Sequence, residues 1–87
     1  MAEHRLTYSR AAAKEIDKLP PKLALRVVDA IGELASQPRP PGCKKLSAED
    51  DFWRIRVGDY RVIYEIDDDR REILVTRVRH RREIYRD

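Results

Sequence analysis

Arginine dominates the second half of this chain in a pattern suited to holding phosphate. Every lysine lies at or before Lys45; beyond it the fixed positive charges are all arginines, from Arg54, Arg56 and Arg61 through Arg77, Arg79 and Arg81 to Arg82 and Arg86. A guanidinium presents a planar fork of donors that matches phosphate oxygens, whereas an ammonium is a hydrated point charge. High genomic GC content would give the same bias, so position along the fold must decide between the two. Phe52 to Val57 and Tyr60 to Ile66 read as strands joined by Gly58-Asp59, a pair suited to a two-residue hairpin turn. Such a turn fixes register, and register fixes which side chains meet. Val57 then opposes Tyr60, Arg56 opposes Arg61, Ile55 opposes Val62, Arg54 opposes Ile63 and Trp53 opposes Tyr64. One face carries Trp53, Ile55, Val57, Tyr60, Val62 and Tyr64; the other carries Arg54, Arg56 and Arg61.

Like charges directly opposed on a sheet destabilise it by a few tenths of a kcal/mol to ~1 kcal/mol. The cluster therefore reads as a site for an anion. A solvated basic face, neutralised by Asp59 and the acidic turn 67–69, is the competing reading. In the last strand, Glu72 to Arg79, residues Arg77 and Arg79 share one parity with Arg81, while Leu74, Thr76 and Val78 take the other. If the strand runs on to residue 81, three more guanidinium groups border the same surface. By the same parity Ile63, Ile73 and Val75 fall on the arginine side, uncovered by helices. Tyr85 follows, and a phenol beside several cations ionises more readily than the ~10 of an ordinary tyrosine.

Other chemistries find little support. Cys43 and His80 lack an orienting third residue and any sign of an oxyanion hole. His4 and His80 are too few for a metal site, and Asp67-Asp68-Asp69 lacks the length and glycine of a calcium loop. No Gly-rich phosphate loop is present. No metal or cofactor is implied.

The elements that must position the arginines follow from periodicity. His4 to Tyr8 alternates as a first strand. Ser9 can cap a helix in which Ala12, Ile16 and Leu19 recur, ended by Pro20-Pro21. Pro21 suits the first turn of a second helix, with Leu23, Val27, Ile31 and Leu34 on one stripe. So short a break predicts an antiparallel helical hairpin. Gln37 to Gly42 is a Pro-rich loop leading to Lys44-Lys45-Leu46. The order is strand, helical hairpin, then a three-stranded antiparallel meander: an α+β fold with the helices on one sheet face. With 87 residues, 41% hydrophobic, 40% charged and a net charge of +3, the chain is expected to be one domain, residues 1–87, with a core but no deep pocket. A lone Cys43 excludes an internal disulfide, and no stretch is long and apolar enough to cross a bilayer. A cytoplasmic protein is expected.

Trp53-Arg54-Ile55-Arg56-Val57-Gly58-Asp59-Tyr60-Arg61-Val62-Ile63-Tyr64 resembles the hairpin signature of the RelE/ParE superfamily of toxin–antitoxin toxins. Val78-Arg79-His80-Arg81-Arg82-Glu83-Ile84-Tyr85 resembles its closing segment, and Lys45-Leu46 sits where these toxins carry a base before the hairpin. The resemblance spans essentially the whole chain and implies the small RelE-like fold. For the RelE branch it implies a ribosome-dependent endoribonuclease that cleaves mRNA in the ribosomal A site, by attack of a ribose 2′-OH on the adjacent phosphate. By the same resemblance Arg61 and Arg81 would be catalytic, Arg61 stabilising the phosphate and Arg81 stabilising charge or assisting the leaving oxygen, with Tyr85 as base, stacking partner or both. Lys45, Arg54, Arg56, Arg79 and His80 would bind substrate, with His80 a candidate for acid–base work. The implied partners are a RelB-like antitoxin that covers the active face, the ribosome and its mRNA; the toxin–antitoxin complex would reach operator DNA through the antitoxin. A ParE-like toxin that poisons DNA gyrase without cutting nucleic acid is the alternative.

Overall fold

A computed structural model describes residues 3–46 and 51–84, with residues 83 and 84 described by backbone alone. The first strand, β1 (Arg5–Tyr8), leads directly into helix α1 (Arg10–Asp17). Ser9 makes that junction: its Oγ accepts from the N–H of Ala12 at 3.0 Å and donates to the carbonyl of Thr76 at 2.8 Å. One side chain thus caps a helix and ties it to the last strand. Helix α2 (Pro21–Leu34) starts with Pro21 at its first turn, where the missing N–H costs nothing. The two helices diverge in their packing, α1 lying mainly along the last strand and α2 over the first strand of the hairpin.

Four further strands complete one sheet: β2 (Lys44–Lys45), β3 (Phe52–Val57), β4 (Tyr60–Asp67) and β5 (Glu72–His80). Their order is β1-β5-β4-β3-β2, with β1 parallel to β5 and every other pair antiparallel. The expected meander is therefore flanked on both sides. The short β2 leaves no periodic trace in a two-residue stretch, and its pairing is closed by Leu46 N–H donating to the Phe52 carbonyl at 2.9 Å. The chain ends its described part in a short helix, α3 (Arg81–Ile84).

The hairpin register is the one expected, from Val57 opposite Tyr60 to Trp53 opposite Tyr64. Gly58 carries φ +60 while Asp59 has no positive φ, which fits a type II′ turn. The register of β5 departs from simple alternation. Ile63 pairs with Arg77 but Tyr64 pairs with Val75, leaving Thr76 as the extra residue of a bulge. The Thr76 hydroxyl donates to the Ile63 carbonyl at 3.0 Å, anchoring the irregularity. Each bulge residue reverses the face of everything before it, so Ile73 and Val75 are fully buried in the core and Leu74 lies on the opposite face. The expectation that Ile73 and Val75 lie bare beside the arginines is corrected by this one residue.

The core joins Val27, Ile31 and Leu34 of α2 and Ala12 of α1 to Ile55, Val57, Val62, Tyr64, Ile66, Ile73, Val75 and Val78 of the sheet. Burying each larger aliphatic side chain contributes about 1.5–3 kcal/mol against exposure. Tyr64 is fully buried, and its hydroxyl donates to the Pro38 carbonyl at 2.7 Å, which fastens the Pro-rich loop to the sheet. Beside it, the Arg39 guanidinium lies 5.1 Å from the Trp53 ring centre.

Candidate nucleic-acid interface

The tight turn at residues 58–59 brings Arg56 opposite Arg61, and the β4–β5 pairing brings Arg61 opposite Arg79. Three arginines thus stand in one row across three strands, neighbours about 4.8 Å apart in backbone spacing. The next row holds Lys44, Arg54, Ile63 and Arg77 in the same order across four strands. Both rows lie on the face away from the helices, because Ile55, Val57, Val62 and Val78 of alternate parity are buried in the core. Arg61, at the centre, is only 6% exposed. Its side chain is thus largely withdrawn from solvent.

Arg81 joins this group from α3 rather than from the strand, which ends at His80. Its backbone N–H donates to the Asp59 carbonyl at 2.8 Å, so the end of β5 is pinned to the hairpin turn. Arg56, Gly58, Asp59, Arg61 and Arg81 then line a concavity of about 50 Å³. That is room for one small anion. Arginines from three separate segments border it, with Asp59 beside them.

The remaining expected site residues divide. Arg54, Arg56 and Arg79 share the face of Arg61. Lys45 does not: it pairs with Trp53, whose parity is that of the core, and its Nζ lies 5.9 Å from the Trp53 ring centre. Lys44 is the lysine on the arginine side, one position from the residue that the resemblance picked out. His80 pairs with Tyr60 on the helix-bearing face, the two rings 5.2 Å apart and nearly perpendicular. Its Nδ1 accepts from the Arg82 N–H at 3.2 Å, which in the neutral ring puts the proton on Nε2. Strand parity thus places Lys45 and His80 on the opposite side of the sheet from Arg61. Arg77 starts on that face but turns to α1, where its Nε and Nη2 donate to Glu15 Oε2 at 3.2 and 2.9 Å. Glu15 Oε1 accepts from the Val78 N–H at 2.7 Å, closing the edge of β5 beyond the end of β1. Tyr85 lies outside the described residues.

Charge is segregated along the sheet. At the end opposite the hairpin turn, Asp51, Glu65, Asp67, Asp68 and Asp69 line an open cleft of about 430 Å³. Asp68 is held below the usual carboxylate range, first by its bond from Arg39 at 2.8 Å and then by His4 at 3.2 Å. No group of three or more His, Cys, Asp or Glu side chains among the described residues is arranged to hold a metal ion.

A mixed five-stranded sheet backed by two helices is the build of the RelE toxins among solved structures. The chain belongs to the family described as ParE toxin of type II toxin-antitoxin system, parDE, whose model matches residues 6–85. It is 35% identical to Toxin RelG of Mycobacterium tuberculosis over 85 residues, covering 95% of this chain and 97% of that protein. Toxin RelE of the same organism is 29% identical, covering 95% of this chain and 87% of its own length. Among solved structures, the toxin–antitoxin complex RelBE2 from Mycobacterium tuberculosis contains a chain 32% identical with a TM-score of 0.78, covering 92% of this chain and 93% of that one. A chain of the archaeal RelE–RelB complex from Pyrococcus horikoshii is 28% identical with a TM-score of 0.81, covering 90% of this chain and 94% of that one.

Proposed function

We propose that this type II toxin is a ribosome-dependent endoribonuclease that cleaves mRNA in the ribosomal A site. The observation that carries the reading is the hollow at the hairpin turn, lined by Arg56, Arg61 and Arg81 from three separate segments and with room for one small anion. The reaction is attack by a ribose 2′-OH on the adjacent phosphate, expelling the 5′-oxygen and leaving a 2′,3′-cyclic phosphate and a 5′-hydroxyl. Only RNA carries that nucleophile. As the phosphorane-like transition state forms, negative charge grows on the non-bridging oxygens, and Arg61 and Arg81 stabilise it. Arg54, Arg56 and Arg79 hold the flanking backbone. Tyr85 is assigned as the base or as a stacking partner for the nucleobase.

The hollow is too shallow to orient a flexible strand, so the ribosome supplies orientation and makes the attack a positioned, near-intramolecular step. The partner that restrains the toxin is a RelB-like antitoxin, in keeping with the RelE–RelB complexes among its structural neighbours; operator DNA is reached through that antitoxin. Ile63 and Leu74, partly exposed on the arginine side, offer apolar footing for an amphipathic partner.

The test is a purified translation system with programmed ribosomes and mapped mRNA ends. Wild type should cut within the A-site codon, and Arg61→Ala or Arg81→Ala should lower the single-turnover rate by about 10²–10³ with folding intact. Intact messenger beside accumulated cleaved DNA in a gyrase reaction would instead support the gyrase-poison reading that the ParE description of the family keeps in play.

A further inference from the structure

The outer flank of α2 carries a pattern that its own chain satisfies poorly. Leu25 is 64% exposed and Val28 42% exposed. With Gly32 they form a strip at helical spacing beside the buried stripe of Val27, Ile31 and Leu34. A Cβ at Gly32 would meet nothing within 4 Å, so no contact in this chain requires glycine there. A second backbone could approach closely at that point.

Bordering the strip, steps of 100° per residue place Lys22, Arg26, Asp29 and Glu33 together on one side, all exposed. Their order opposes the helix dipole, with bases toward the N-terminus and acids toward the C-terminus; the first turn has no acid and the last turn no base. Lys22 and Arg26 are like charges four apart, as are Asp29 and Glu33, a spacing that repels. None of the four makes an ion pair among the described residues. Within a single chain only Arg26 and Asp29, three apart, attract. Arg26 Nη1 would lie 3.8 Å from a Cβ at Gly58 of the hairpin turn, and the apolar strip and the order of charges against the dipole are left uncompensated.

We propose that it is the two-fold interface of a homodimer, in which α2 packs antiparallel on α2 of a second copy. Reversing the helix converts each defect into a match. Lys22 meets Glu33 of the partner subunit, Arg26 meets Asp29 of the partner subunit, Leu25 lies over Gly32 of the partner subunit, and Val28 meets its own symmetry mate. A two-fold axis perpendicular to both helices and passing between them keeps the charged borders on the same side of the seam, so all the pairings form together. A parallel pair would put them on opposite sides. Such self-complementarity is the mark of an isologous contact. Because α2 covers the other face of the sheet, both arginine faces point outward, and the dimer does not depend on the nuclease reading. One 14-residue helix per subunit buries less than a standard interface, so the dimer is weak and concentration-dependent.

Sedimentation velocity on the full chain over about a hundredfold range of concentration tests this. The dimer fraction should rise with concentration. Leu25→Lys should leave only monomer, with the near-ultraviolet dichroism of the fold unchanged. Lys22→Glu and Glu33→Lys should each raise the dissociation constant about fivefold or more, and the double variant Lys22→Glu/Glu33→Lys should return it toward wild type. A monomer throughout, a dimer indifferent to Leu25→Lys, or a double variant no better than the singles would each overturn the proposal. So would a flank that binds only a helix of another protein while the purified chain stays monomeric.

Discussion

Arg61 sits in the middle of a row of three arginines and is nearly covered, whereas Arg56 and Arg81 reach the same hollow from more open positions. Burial limits the positions its side chain can take, which suits a group that must meet charge at one point. The neighbouring Lys44 and Lys45 separate cleanly by parity, since Lys44 pairs with Arg54 and Lys45 with Trp53. Lys44→Ala should therefore raise the half-saturating ribosome concentration by a factor of about 3–5, one screened phosphate contact, while Lys45→Ala changes it less. Equal effects would mean that substrate reaches both faces. Tyr64 makes a different kind of prediction. Burial pushes its phenol above the ordinary tyrosine value, with Cys43 adding to the shift. The unfolded chain titrates near ~10, so the stability tied to the neutral phenol is whole below that pH and declines as pH rises toward the folded value. Urea midpoints should fall on the alkaline side in wild type and fall less in Tyr64→Phe, which also loses the bond to Pro38 at a cost of about 1 kcal/mol.

The element that most directs the site is β5. Its first half is flanked by β1 and its second half by α1, and the bulge at Thr76 falls just past the end of the β1 pairing. The bulge lets Ile73 and Val75 face the core in one half while Val78 faces it in the other, so Arg79 still meets Arg61. Glu15 secures the exposed edge beyond that point by accepting from both Arg77 and the Val78 N–H. Removing it leaves a partly buried backbone donor and a guanidinium without their acceptor. Glu15→Ala should lower unfolding free energy by about 1–3 kcal/mol in urea titrations. A change under a few tenths would place the stability of this edge elsewhere.

Across the whole molecule the sheet separates charge. Strand β4 runs from Tyr60 at the cationic turn to Asp67 at the acidic cleft, and its eight residues span roughly 25 Å. A net charge of +3 understates this division. Such a dipole orients the molecule as it approaches an anionic surface, turn first. Ribosome affinity should fall steeply with salt: for about three phosphates contacted, a fourfold rise in salt weakens binding by roughly 20-fold. Arg56→Ala should flatten the log–log slope by about 0.7. An unchanged slope would remove Arg56 from the phosphate contacts.

Local chemistry in the sequence was enough to determine the helices, the hairpin and its register. Proline, a serine cap and a Gly-Asp turn act over a few residues, and alternation across a tight turn leaves one pairing that buries Ile55, Val57, Val62 and Tyr64. That made the Arg54, Arg56 and Arg61 face legible before any coordinates. The features that escaped are non-local. A bulge is a single uncounted residue, and it cannot be read from the alternation of one strand because it is defined by the partner. The parallel pairing of β1 with β5, the side taken by Lys44 rather than Lys45 and the arrival of Arg81 beside Asp59 all depend on contacts between distant segments. Only the closed sheet, with its core filled from one side, selects among them.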